Sequence, residues 1–180
     1  RALGLNPRDP WAVHAVQHVF EMQGRVHDGM QWLQATSQTW ADSALSFHNW
    51  WHLALHHLEL DDITSALDVY DRLVHPKPTA VALELVDASQ LLARISLRGG
   101  DVGARWQALA DCFAAQDECG FYVFNDVHAL IAYTAAGRDE HQRRMLAKLE
   151  KSADGVHTNA NITRELGLPL ARDRRDGVRT

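Results

Sequence analysis

The sequence predicts an all-α fold made of about four helix pairs that repeat along the chain. Apolar residues recur with the 3.6-residue period of helices, and Gly or Pro interrupts them at short intervals. The chain contains two runs with histidine at both ends, His14-Ala15-Val16-Gln17-His18 and His48-Asn49-Trp50-Trp51-His52. The second run begins 34 residues after the first. That offset is the period of a tetratricopeptide repeat. We therefore expect a tetratricopeptide-like helix-turn-helix solenoid.

Turn signals divide the chain into its pairs. Gly24 ends the first predicted helix, and Pro76 and Pro78 follow the second pair, as the backbone geometry of proline favours. Gly99-Gly100 separates the two helices of the third pair, and Gly137 separates those of the fourth. The predicted pairs cover residues 11–40, 44–75, 79–117 and 121–150.

Neither end of the chain resembles the caps that repeat arrays require. Residues 1–10 are typical of the end of a preceding repeat, because a short helical end is followed by the turn Asn6-Pro7. Residues 171–180 are charged and have almost no apolar periodicity. We therefore expect residues 1–170 to form a solenoid that is incomplete at both ends, and 171–180 to be a disordered tail.

Composition limits the classes of function. The chain is 46% hydrophobic and 23% charged with a formal net charge of −5, which is ordinary for a soluble domain and argues against nucleic-acid or anionic-membrane partners. No apolar run approaches the roughly 20 residues that span a bilayer. Cys112 and Cys119 are too far apart on a predicted helix for a disulfide, which fits a reducing, cytoplasmic location. The oligomeric state stays open.

Unexpected polar residues follow one face of the first helix in each predicted pair. Because the first helices of such repeats line the concave wall, these faces could share one groove. The candidate ligand-binding residues are His14, His18, Glu21, Arg25, His48, Asn49, His52, Asp87, Asp126 and His128.

Histidine pairs on neighbouring helices can also hold a metal ion. Packed helices lie about 8–10 Å apart, so two imidazoles from each could meet around one ion. Zinc is the plainest candidate, or another divalent transition metal, with ligands His14, His18, His48 and His52. Asp87 or Glu21 would orient a ring or bind the ion directly. The alternative is that the histidines only pack against nearby carboxylates or lie on a helix surface.

Several runs resemble the tetratricopeptide repeat protein 38 family over roughly Ala2 to Leu170. The resemblance implies an all-α repeat fold within a longer protein, and it implies no settled reaction. The runs that carry it are His14 to Arg25, His48-Asn49-Trp50-Trp51-His52-Leu53-Ala54-Leu55, Val86 to Leu92 and Asn125 to Ala129.

Two functions are consistent with these residues. The favoured one is a binding module whose groove takes a peptide, protein or small-molecule ligand, with Arg25 and Arg94 contributing charge. The alternative is a metal-dependent or acid/base enzyme that uses the same histidines, with Asp87 and His128 in supporting roles. No Gly-rich phosphate loop and no serine in a nucleophile elbow occur.

Overall fold

A computed structural model describes residues 2–116 and 122–177, with side chains to Asp173. This part of the chain is helical and contains no strand, which confirms the all-α prediction. The stacking of its helices as a tetratricopeptide-like solenoid stays a prediction. The helices are α1 (Ala2–Leu5), α2 (Pro10–Met22), α3 (Val26–Trp40), α4 (Ser46–Glu59), α5 (Ile63–Val69), α6 (Ala82–Leu97), α7 (Arg105–Ala114), α8 (Val123–Ala135), α9 (Asp139–Ala153), α10 (Thr158–Ile162) and α11 (Leu168–Gly177).

The chain forms two compact units. Unit one comprises the described residues up to Lys77 together with Leu97–Gly100, and so contains α1 to α5. Unit two comprises Pro78–Ser96 and the described residues from Asp101 onward. No helix in the described part of the chain has both the length and the apolar character needed to cross a membrane.

Local signals fix the ends of α2. The side chain of Asp9 accepts hydrogen bonds from the backbone N–H groups of Trp11 at 3.0 Å and Ala12 at 3.2 Å, and Pro10 occupies the first turn. Both features suit a helix N-terminus, whose first N–H groups lack partners within the helix. Gly24 follows the helix with a φ of +66°, a conformation that costs glycine little.

The core of unit one is built around α4. Leu53, Ala54 and Leu58 are almost completely buried in this helix, and Leu33 of α3 is fully buried. Arg98 holds the end of α4 by donating to the carbonyl of Leu58 and to a carboxylate oxygen of Glu59 at 3.1 Å. Burial of the α4 face therefore fixes the orientation of the histidines on that helix.

Two helices change pitch. A π-helical turn, Tyr70–Val74, continues α5, and another, Thr163–Gly167, joins α10 to α11. Gly167 is required at the second turn because a Cβ there would collide with Val123. Hydrophobic periodicity predicts continuous helices but does not distinguish such local widening.

The C-terminal segment differs from the prediction. Residues 171–177 belong to α11, although the sequence indicates a disordered tail from 171. Ala171 is fully buried, and Arg172 donates to Glu150 of α9 at 2.9 Å, so tertiary contacts outweigh the poor periodicity. Cys112 is buried in α7, while Cys119 and residues 178–180 lie outside the described residues.

Candidate metal centre

Helices α2 and α4 bring four histidines together in unit one. His14 and His18 are four residues apart on α2, and His48 and His52 are four apart on α4, so each pair shares one helix face. The rings meet across the two helices: the centroids of His14 and His48 are 4.8 Å apart, as are those of His18 and His52. The predicted meeting of the two pairs is therefore present in the fold.

His14 is at the centre of this group. Its Nε2 atom lies 2.9 Å from Nε2 of His18 and 3.0 Å from Nε2 of His48. An imidazole nitrogen has one bonding direction in the ring plane, so a single proton or lone pair cannot make two linear hydrogen bonds. Nitrogen atoms that share a tetrahedral zinc ion through bonds of about 2.0–2.1 Å lie about 3.3 Å apart. The observed spacing is close to that value.

Two overlapping sets of donor atoms occur in the cluster. His14, His48 and His52 form one set, and His18, Glu21 and His52 form the other. Within each set the donor atoms lie within 4.8 Å of one another, so each set could hold a single ion. We call the five residues together the His/Glu cluster.

Glu21 determines the role of His52. Its Oε2 atom lies 3.1 Å from Nδ1 of His52 and 3.6 Å from Nδ1 of His18. A carboxylate in this position favours a proton on Nδ1, which leaves the lone pair on Nε2. Nε2 of His52 has no hydrogen-bond partner, and the residue is only 1% exposed. A buried imidazole nitrogen in that state is suited to bind a metal ion.

Burial favours the neutral form of His14 and of His52. It lowers the pKa of His14 to about 4, and repulsion by His48, His52 and His18 adds to the shift. Burial also lowers the pKa of His52, against the opposing attraction of Glu21. Burial alone would raise the pKa of Glu21, but its contact with His52 and the charges of the nearby histidines outweigh this and lower the pKa. Neutral imidazole and ionised carboxylate are the forms that ligate metals.

Aromatic rings enclose the cluster on two sides. Trp51 is buried and stacks on His48 with an interplanar angle of 10° and a centroid separation of 5.3 Å. Trp11 stands edge-on to His14 at 5.9 Å and is 63% exposed. The site therefore has a buried wall on the α4 side and solvent access near the start of α2.

The other predicted site residues belong to neither donor set among the described residues. Arg25 donates to Asp28 at 2.7 Å and covers the Phe20 ring, and Asn49 is fully buried with neither amide atom hydrogen-bonded. Asp87, Asp126 and His128 are buried residues that belong to unit two. The structure thus brings together His14, His18, Glu21, His48 and His52. One groove lined by all ten residues stays a prediction.

Within unit two, His128 is held by the backbone. Its Nδ1–H donates to the carbonyl of Phe124 at 2.7 Å, and the hydroxyl of Ser89 donates to the carbonyl of His128 at 3.0 Å. The Phe124 and His128 rings are 4.7 Å apart. The hydrogen bond to Phe124 thus orients the imidazole, and the bond from Ser89 anchors the His128 backbone.

Three residues beside the cluster, Gln17, His56 and Gly29, were not among the predicted site residues. Gln17 of α2 is fully buried and its Nε2 donates to Nε2 of His56 on α4. Gly29 of α3 is buried against the His56 ring. The sequence does carry a signal for two of these residues: Gln17 lies between two histidines, and Gly29 lies inside a predicted helix.

No known family model matches the chain, and no solved structure matches it. The fold and the site define the described part of the chain as an all-helical protein with a cluster of histidines and one glutamate that could hold a metal ion. Membership of the tetratricopeptide repeat protein 38 family stays a prediction.

The buried state of His128 predicts a pH dependence of stability. Burial lowers the pKa of His128, with Arg94 adding to the shift and the Phe124 carbonyl and Asp87 opposing it. The unfolded state takes up a proton near pH 6.5, and the folded state takes it up only at lower pH. Unfolding therefore becomes easier as the pH falls below about 6.5. We expect His128→Gln to lose less stability than the unmodified chain between pH 7.5 and 5.5.

Urea midpoints at the two pH values measure this effect. His27→Gln is the matched control because His27 is exposed. An unchanged pH dependence in His128→Gln would show that His128 does not contribute to it.

Proposed function

We propose that this protein binds a divalent transition metal ion, of the zinc type, through His14, His48 and His52, with Glu21 orienting His52. The observation that carries the proposal is the convergence of three imidazoles from two helices within 4.8 Å, one of them with a buried and unpartnered nitrogen. His18 adjoins this group through His14 and Glu21 and supplies a further donor.

Packing alone accounts poorly for these contacts. A histidine placed in a core for its shape normally hydrogen-bonds both ring nitrogens or exposes one of them. Nε2 of His52 does neither, and Nε2 of His14 faces two imidazole nitrogens at once. An unpaired buried polar atom costs roughly 1–3 kcal/mol, whereas coordination would satisfy several such atoms together.

The donor set suits some metals better than others. Imidazole nitrogens with one carboxylate favour zinc, copper, nickel or iron(II), while magnesium and calcium prefer oxygen ligands. No cysteine belongs to either donor set. Copper(II) binds such sites more tightly than zinc when both are free, so identification requires a panel of metals rather than one.

The site is compatible with catalysis as well as with a structural role. Three protein ligands leave one position of a tetrahedral ion for water, whose pKa zinc lowers towards neutrality. The side chains of His18 and Glu21 are 48% and 33% exposed, so solvent reaches this side of the cluster. A bound zinc ion would supply an activated water on this side, while Glu21 would keep its contact with Nδ1 of His52, so the residues are compatible with metal-assisted hydrolysis as well as with a structural role.

Metal analysis tests the proposal directly. The untagged chain, dialysed against zinc and then against metal-free buffer, should retain about one equivalent of zinc. Replacing His48 and His52 with alanine should reduce this to less than about a tenth of an equivalent, because two of the three imidazoles are lost. His27→Ala, which removes an exposed histidine, should retain the full amount.

The same double variant separates a site from packing. Histidines that only pack should cost about 1–3 kcal/mol of unfolding free energy when both are removed. Site residues are seldom optimal for folding, so the metal-free double variant should be as stable as the metal-free parent or more so. Loss of stability with no metal bound by the parent would contradict the proposal.

Glu21 provides an independent test. Glu21→Gln keeps the shape of the side chain but weakens its hold on the His52 ring proton, so zinc affinity should fall about 10- to 100-fold. Competition with a chromophoric chelator measures the change. Glu140→Gln, on the exposed first turn of α9, should leave the affinity unaltered. Equal affinities for Glu21→Gln and the parent would remove Glu21 from the site.

A further inference from the structure

We propose that Gln17, His56 and Gly29 form a spacer that holds the histidines of α2 against those of α4. Gln17 and His56 are then positioning residues for the His/Glu cluster, and Gly29 is the residue that makes room for them. The metal-binding role of this spacer rests on the proposed function, whereas its effect on the helix spacing does not.

A buried hydrogen bond between Gln17 and His56 joins α2 to α4. Gln17 lies between His14 and His18 in sequence, and His56 lies one turn after His52. The Nε2 group of Gln17 donates to Nε2 of His56, so a side chain next to each histidine pair is tied to the other helix. Gln17 is 0% and His56 2% exposed, so water cannot substitute for this bond.

The His56 ring packs directly against Gly29 of α3. A Cβ atom on Gly29 would lie 2.8 Å from Cε1 of His56 and closer still to Nε2. Real Cβ atoms do not approach ring atoms this closely, so any other residue at position 29 must displace the ring. Because the helix around Gly29 has ordinary geometry, alanine there would otherwise be the better helix former.

The spacer also constrains the histidines of the His/Glu cluster. His56 cannot move away from Gly29 without moving Gln17 or breaking its bond, and Gln17 is on the same helix as His14 and His18. The cluster tolerates little change, because the 3.0 Å contact between Nε2 of His14 and Nε2 of His48 depends on the separation of the two helices. A shift of about 1 Å is enough to disrupt such a constellation.

Two observations separate this role from ordinary core packing. Neither Gln17 nor His56 is an apolar residue, and burying both costs free energy that a leucine pair would not. The oxygen Oε1 of Gln17 is also buried and has no hydrogen-bond partner, so the amide is retained at an additional cost. A bond with a defined direction sets one spacing, whereas apolar contacts accept several.

The experiment uses four variants of the full chain. Gln17→Met keeps the side-chain volume and removes the bond, Gly29→Ala displaces the His56 ring, and Gln17→Glu retains a hydrogen-bonding partner for His56. Gly4→Ala is the control, because a Cβ on Gly4 meets nothing within 4 Å. Two quantities are measured: zinc affinity by chelator competition, and in metal-free protein the nuclear Overhauser effect between the His18 and His52 rings.

We expect Gln17→Met and Gly29→Ala to lose the His18–His52 Overhauser effect and to bind zinc about 10-fold or more weakly. Gln17→Glu and Gly4→Ala should keep the effect, and Gly4→Ala should bind zinc as the parent does. If Gly29→Ala fails to fold, Gln17→Met alone decides the question.

The outcomes of the two measurements are independent. A parent chain that binds no zinc but loses the Overhauser effect in Gln17→Met and Gly29→Ala would contradict the proposed function and support the spacer. Folded Gln17→Met and Gly29→Ala proteins that keep both the effect and the parent affinity would overturn the spacer. Loss of the effect in Gln17→Glu to the same extent as in Gln17→Met would also overturn it, since the bond would then not matter.

Discussion

The arrangement of unit one depends on the close approach of α2 and α4. This approach brings four imidazoles and one carboxylate together, with Nε2 of His14 about one hydrogen-bond length from Nε2 of His18 and from Nε2 of His48. Such a group cannot be protonated at several positions at once, because the charges would repel one another. Burial, with repulsion by the neighbouring histidines added to it, lowers the pKa of His14, and the proximity of these rings also gives the cluster the donor spacing of a metal centre.

The close approach of α2 and α4 buries polar atoms, which lowers the free energy of unfolding. His52 and Gln17 are buried in unit one with polar atoms that lack partners, and Asn49 is buried nearby in sequence in the same condition. A core selected for stability alone would replace these residues by apolar ones of similar size. Their presence on the two helices that form the cluster is what a functional site predicts, since such sites are commonly assembled at the expense of folding free energy.

Much of this was accessible from the sequence. The helical period places His14 with His18 and His48 with His52, and the 34-residue offset predicts that the pairs belong to equivalent helices. Both inferences are local, because they depend only on the geometry of a helix. Glu21 follows from the same period as His18, and its contact with His52 required only that the helices be neighbours.

Other features depend on tertiary contacts that no periodicity encodes. The bond between Gln17 and His56 and the seat of His56 on Gly29 exist only when three helices pack at particular distances. The helical conformation of residues 171–177, with Ala171 buried within unit two, likewise overrides a charged and weakly periodic sequence. Asp87 and His128 lie on predicted polar helix faces like those of the histidines on α2 and α4. Helical periodicity does not determine which unit a helix joins, and both residues belong to unit two.

The most direct test of the central claim is X-ray absorption spectroscopy at the zinc edge of the untagged, zinc-loaded chain. We expect a first shell of nitrogen and oxygen atoms at about 2.0–2.1 Å, with the multiple-scattering pattern of about three imidazole rings. Replacement of His52 by alanine should remove one ring from that pattern. A shell of oxygen atoms without imidazole scattering, or one with sulfur at about 2.3 Å, would contradict the assignment of the metal to the His/Glu cluster.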